Sequence, residues 1–345
     1  MIPAMRISML TMRPAAACVA LFVTSAISFA DDSWVVYKGG PGLGEGKQVV
    51  LISGDDEYRS EETMPQLGKI LSTRLGFTCT VLFPIDPADG TIKPPFQTNI
   101  PGLEALDTAD LMVLGLRFRN LPDEQMAHFD KYIQSGKPIV ALRTSTHSFN
   151  LPEGSTYEKY TWTSKVPGWE GGFGKQVLGE TWVAHHGDHG KQATRGIFAP
   201  GAEHSPILKG IKNGEIFGPT DVYTVTLPLP GDSKPVLMGE VVAGMNPKDP
   251  AATGPKNDPM MPVAWTKTYK GDSGKASRIF TTTMGASQDL ENEAFRRMIV
   301  NACLWGMGME NQIPEKTDVE LVGEYHPTPF RFGGHANGVK PSDLK

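Results

Sequence analysis

A chain of 345 residues with 33 Lys and Arg against 38 Asp and Glu carries a formal charge of −5 and no basic run, which excludes the electrostatic footprint of a nucleic-acid binder. Three cysteines are too few for a disulfide framework, and 38 glycines with 28 prolines imply many loops built on a core. The length allows one large domain or a domain with long insertions.

In chain order, residues 1–30 (MIPAMRISMLTMRPAAACVALFVTSAISFA) read as a secretory signal peptide. Arg6 and Arg13 are its only charges, an apolar run covers Ala15 to Val23, and small residues at Ser28 and Ala30 place cleavage before Asp31. That run is too short to span a bilayer, so the mature chain is expected to be secreted or periplasmic, without a membrane span. Loss of the two arginines takes its charge to −7. Arg13 and Pro14 stand where a lipoprotein signal at Cys18 would need apolar residues. Of the remaining cysteines, Cys79 and Cys303, the sequence leaves open a bridge or two buried thiols.

A lead-in over 31–47 precedes the body of the chain, 48–310. Gln48 to Ser53 (QVVLIS) predicts a buried strand, and Glu61 to Leu75 a helix stopped by Gly76. TCTVLF and LMVLGL predict two more strands. A second helix follows Pro122 and stops at Gly136, and PIVAL (Pro138 to Leu142) is a fourth strand. An insertion over about 150–190 dissolves into Gly, Trp and Tyr. TDVYTVTLP, KPVLMGEVV, MPVAWTKTY and SRIFTTTMG read as strands, and a last helix runs from Asn292 to Trp305, before a Pro- and Gly-rich tail over 311–345.

Strands alternating with helices imply βαβ units and a parallel sheet, whose ligands sit beyond the carboxyl ends of the strands. The residues there are Asp55, Asp56, Glu57 and Arg59 after the first strand, Arg117 and Arg119 after the third, and Arg143 and His147 after the fourth. Charge after three of four strands predicts a polar cleft. Glu57 and His147 are candidates for acid and base, with Arg143, Arg117 and Arg59 as substrate-binding cations.

Three of the eight histidines crowd into HHGDH: His185, His186 and His189 around Asp188. Imidazoles with a carboxylate suit a zinc-like ion, though no HExxH or CxxC spacing accompanies them. The same groups, with Trp169 and Trp182 nearby, also suit acid–base chemistry on a sugar, or sugar binding alone. In an extended segment His185 and His189 would share one side, with His186 and Asp188 on the other.

PIVAL, then HSPILKGI followed by Asp221 and Tyr223 in TDVY, then PVAWTKTY with RIFTTTMG and FRRMIVNACLWGMG together resemble the ThuA-like (trehalose-utilisation) family, whose fold is similar to class I glutamine amidotransferases. The exported form with its insertion resembles a secreted branch common in planctomycete-type bacteria. The resemblance implies an α/β, flavodoxin-like, mostly parallel sheet with helices on both faces, and action on a small-molecule carbohydrate such as a disaccharide, glycoside or keto-sugar derivative. It departs from amidotransferases where their cysteine nucleophile would stand. That position falls on Arg143, which cannot attack at neutral pH, and Ser145 lacks the small neighbours of a nucleophile elbow. Glutaminase chemistry is thereby excluded. Many relatives carry His at that position and after the Gly of TMG, where this chain has Ala286.

Overall fold

The computed structural model describes Met1 and residues 33–345, so the expected leader beyond Met1 lies outside the described residues. After β1 (Trp34–Tyr37), β2 (Gln48–Gly54) is apolar at successive positions because both of its faces are covered. Val49 and Leu51 enter one core together with α1 (Ser60–Leu75), while Val50 and Ile52 enter another. Gly76 ends α1 at φ 84°, a left-handed conformation that lets its N–H bond back to the Ser72 carbonyl. Then come β3 (Thr78–Leu82), β4 (Leu111–Leu116), α2 (Asp123–Gln134) and β5 (Ile139–Leu142).

The second half adds β6 (Ala184–His185), β7 (Thr194–Phe198), β8 (Ile216–Gly218), β9 (Tyr223–Thr224), β10 (Lys234–Val241), β11 (Met261–Lys270) and β12 (Ala276–Thr282). Helix α3 (Glu293–Gly306) follows, with Asn292 accepting from the Phe295 N–H as its cap. Five strands run parallel in the order β3-β2-β4-β5-β12, the 2-1-3-4-5 order of a flavodoxin-like α/β sheet. Antiparallel strands β11, β10, β7 and β8 continue it beyond β12, and β1 closes the other edge, so the ten-stranded sheet is mixed. TDVYTVTLP forms only the two-residue β9, which pairs with β6 outside that sheet.

Helices cover both faces. Residues of α1 and α3 share one core, whereas α2 packs its Met126, Phe129 and Ile133 into the other with Phe149, Tyr160 and Phe173 around the insertion. Cys79 and Cys303 are free thiols buried in the first core. The tail is not loose: Ile313 and Val319 are buried, and the Val339 carbonyl accepts from the Ile92 N–H. No helix among the described residues is long and apolar enough to cross a membrane.

Candidate active site

Strands β2, β4 and β5 lie side by side, so the turns beyond their carboxyl ends converge, and strand order reverses between β2 and β4, where ligands bind in such sheets. Three non-glycine residues among those described take positive φ: Arg59 (62°), Phe118 (49°) and Arg143 (44°). Each stands in one of these turns. Strain of this kind persists only where its surroundings over-determine it, and it concentrates at functional sites.

Asp55 builds the first turn. Its Oδ1 accepts from the N–H groups of Glu57 (2.6 Å) and Tyr58 (2.8 Å), and its Oδ2 accepts from Thr144 Oγ1 beyond β5. The result turns Glu57 and Tyr58 inward, both buried. Arg143 follows β5 directly, and its backbone adopts the strained elbow conformation. The guanidinium is sandwiched between the rings of Tyr58 and Tyr223, at 4.3 and 3.9 Å from their centroids. It donates to Asp221 Oδ1 at 2.7 Å and to the carbonyls of Asp221 and Thr283. The expected role of Arg143 in gripping substrate is therefore corrected: it is fully buried and grips Asp221.

Asp221 is the centre of the site. Oδ2 accepts from His185 Nδ1 at 2.7 Å and Oδ1 from His189 Nδ1 at 3.0 Å. Burial works to raise its pKa, but Arg143 and the two imidazole N–H bonds outweigh it and hold the carboxyl well below its usual range. Thr194 Oγ1 donates to the Thr220 carbonyl, and Thr220 Oγ1 donates to Asp289 (2.8 Å), which also takes the Gly285 N–H. Asp289 is buried just before α3 and props the segment carrying Asp221.

With both Nδ1–H groups committed to Asp221, each imidazole presents Nε2 away from it. His189 Nε2 lies 3.2 Å from Glu57 Oε1, so the two share one proton, as imidazolium and carboxylate or as imidazole and acid. Bonding to Asp221 raises the His189 pKa against the opposing effect of burial. Burial, then the Asp55 charge, raises that of Glu57. Both histidines keep more than a third of their side chains exposed, so solvent and ligand reach them.

The HHGDH segment is strand only at His185 and then bends into a turn at Asp188, and its side chains part there. His186 Nε2 donates to the Lys256 carbonyl (2.8 Å), and exposed Asp188 pairs with Nζ of the same lysine (3.0 Å). Neither belongs to the centre that His185 and His189 form, which corrects the four-residue cluster expected from the sequence.

The other expected residues divide. His147 is buried against Phe118 and Trp182, at centroid distances of 5.0 and 5.7 Å. Burial and the nearby arginines push its pKa well down, so it is neutral. Trp182 also stands 5.9 Å from His185, in the site. Arg117 pairs with Asp56 at 2.9 Å on the rim. Arg59 is buried and donates to the carbonyls of Glu57 and Arg331, fastening the turn to the tail rather than meeting a ligand. Arg119 is likewise spent on the carbonyls of Pro94 and Phe96. Trp169 packs edge-on against Tyr160 and makes no contact with the histidines. Asp221, Tyr58 and Tyr223 were not expected in the site, and Asp55, expected at the strand end, builds the turn there. Asp221 lies 36 and 32 positions from its histidines, a spacing without a signature; only its place in TDVY drew attention to it.

His185, His189 and Asp221 offer donor atoms within 4.8 Å of one another, a set chemically suited to a zinc-like ion. Nδ1 of both rings is bonded to Asp221, so an ion held by all three groups through those atoms would replace these two hydrogen bonds.

A flavodoxin-like strand order with an imidazole–carboxylate centre at its switch point defines an α/β protein with its site at the strand ends. Residues 97–306 match the ThuA family, described as trehalose utilisation, and the chain belongs to that family, which ties it to carbohydrate metabolism. Similar solved structures include a ThuA-like protein from Parabacteroides merdae, 15% identical over 83% of this chain and 97% of that one, with a TM-score of 0.47. Another, from Bacteroides uniformis, is 14% identical over 78% and 94%, with a TM-score of 0.42. No curated protein matches the chain.

Proposed function

We propose that this is an exported enzyme acting on a disaccharide, glycoside or keto-sugar derivative by general acid–base chemistry at His185, His189 and Glu57. The carrying observation is Asp221, a buried carboxylate bonded to both imidazoles, which fixes their tautomer and turns both Nε2 atoms away from itself, that of His189 toward Glu57. A carboxylate–imidazole pair of this kind moves protons near neutral pH. The Glu57–His189 pair holds one mobile proton beside His185, so one group can take a proton while the other gives one. Arg143 keeps Asp221 ionised, and Trp182 offers a ring face to an apolar sugar face. Purified mature protein should turn over a member of a panel of disaccharides, glycosides and their keto derivatives. Changing His185 or His189 to Ala should abolish that turnover with little change in melting temperature, and full activity in both variants would sink the reading.

The donor cluster of His185, His189 and Asp221 favours a second reading, a metal-dependent hydrolase in which an ion activates water. Elemental analysis of untagged protein purified without chelator decides between them. Stoichiometric zinc, manganese or iron, absent after His185 and His189 are both changed to Ala, selects the metal.

A further inference from the structure

Residues 324–335 of the tail lie outside the family match and cross the mouth of the site. They are held at defined points. Tyr325 Oη donates to the Ser287 carbonyl (2.8 Å), Thr328 donates to both oxygens of Glu62, and the Arg331 N–H donates to the Glu57 carbonyl (2.9 Å). Arg59 Nη2 then takes the Arg331 carbonyl at 2.8 Å. Between the anchors at Thr328 and Arg331, the Phe330 ring is set 5.2 Å from both Tyr58 and His189. Phe332 lays its ring on Arg117, 4.9 Å from centroid to guanidinium carbon, yet remains 59% exposed. Apart from that cation–π contact, the ring stands in water beside the Arg117–Asp56 ion pair. Across the imidazole pair, Trp182 and Trp162 form another aromatic group, 6.2 Å apart.

We propose that Phe330 and Phe332 form a ring-stacking subsite of the active site, selecting ligands that carry a second ring beyond the one facing Trp182. The proposal rests on the carbohydrate reading above. Aromatic faces on both sides of a polar acid–base pair complement a molecule with an apolar ring face at each end and its reacting polar bond in the middle. A second sugar ring and an aromatic aglycone share that chemistry. Phe330 stacks from its fixed place over His189, and Phe332 turns its free face to the outer ring.

The test titrates full-length mature protein with trehalose, 4-nitrophenyl α-D-glucoside and methyl α-D-glucoside, following the imidazole resonances of His185 and His189. Both two-ring probes, or one of them, should bind about tenfold more tightly than the one-ring glucoside, the size of one good stacking contact. Phe332→Ala should erase that excess while leaving affinity for methyl α-D-glucoside unchanged, and Phe332→Trp should restore it. Because Phe332 is exposed, its variants keep the wild-type melting temperature. An excess confined to the nitrophenyl probe assigns the subsite to an aromatic aglycone, and one shared with trehalose assigns it to a sugar ring. Equal affinity for one-ring and two-ring probes, or an excess that survives in Phe332→Ala, overturns the subsite alone. If no probe moves either histidine resonance, the carbohydrate reading fails and the subsite with it.

Discussion

Changing Asp221 to Asn keeps the side chain's size and removes the charge that Arg143, His185 and His189 share. The guanidinium is fully buried, so it is left without its counter-ion, a change that typically costs about 3–5 kcal/mol. The amide also offers a donor where the imidazoles need an acceptor, freeing them to take the wrong tautomer. Asp221→Asn should therefore lower both denaturant stability by that amount and turnover by about 10²- to 10⁴-fold. A variant with wild-type stability would mean that Arg143 does not depend on this carboxylate. The Glu57–His189 pair makes a separate prediction. Both pKa values are raised, from 4.5 and 6.5 respectively, so the window with ionised Glu57 and protonated His189 opens and closes at higher pH than for free side chains. A raised histidine adds stability that is complete below pH 6.5 and is lost as pH rises through the folded value. Glu57→Gln removes a negative neighbour, so the His189 midpoint in an NMR titration should fall, and the alkaline limb of kcat/KM with it. A midpoint that stays or rises would dissolve the pair. The sequence displayed the histidines and the pairing of His185 with His189, but it reached that pairing through an extended segment where the chain bends and turns, and it missed the partner that unites the two, Asp221 in the distant loop between β8 and β9.

Among the elements, the parallel strands and the helices were legible because each carries its own punctuation. Gly76 and Gly136 both take φ 84° at helix ends, and Asn292 caps α3. The insertion gave no such signal, since its order comes from aromatic packing such as Phe149 on Phe173 (5.5 Å) rather than from a period. The turn after β12 shows how tightly neighbouring elements are fitted. Gly285 sits at φ 134°, and a Cβ there would approach Leu142 Cβ to 2.8 Å, one residue before the strained Arg143. Gly285→Ala should thus cost about 1–3 kcal/mol through backbone strain and overpacking, and it should reduce activity by displacing the Arg143 elbow. Denaturant melts together with kinetics check this; a stable variant with impaired kcat would place the whole effect in the elbow, and unchanged stability and kinetics would refute the fit.

At the scale of the whole molecule, the tail has two parts that composition alone made look the same. The first is core. Thr317 and Val319 are buried, and their carbonyls accept from Arg297 Nε (3.2 Å) and Arg296 Nε (2.8 Å), both on α3. The second, from Glu324 to His335, covers the site and binds through side chains such as Tyr325 and Thr328, and the chain end then returns to the edge of the core, where the Leu344 carbonyl accepts from Tyr37 Oη. Truncation after Ile313 takes one acceptor from each of two buried guanidinium groups, at about 1–3 kcal/mol each, and opens the core over α3 as well. It should leave a chain that is insoluble or lacks a cooperative melt. Truncation after Gly323 keeps those acceptors and should yield a folded protein with native near-UV circular dichroism, a modestly lower melting temperature and a more exposed His189. Its ligand affinity should fall because Phe330 and Phe332 are gone. If both truncations fold equally well, α3 does not need the tail. If both collapse, the covering segment belongs to the core, and its place over the site is a by-product of stability.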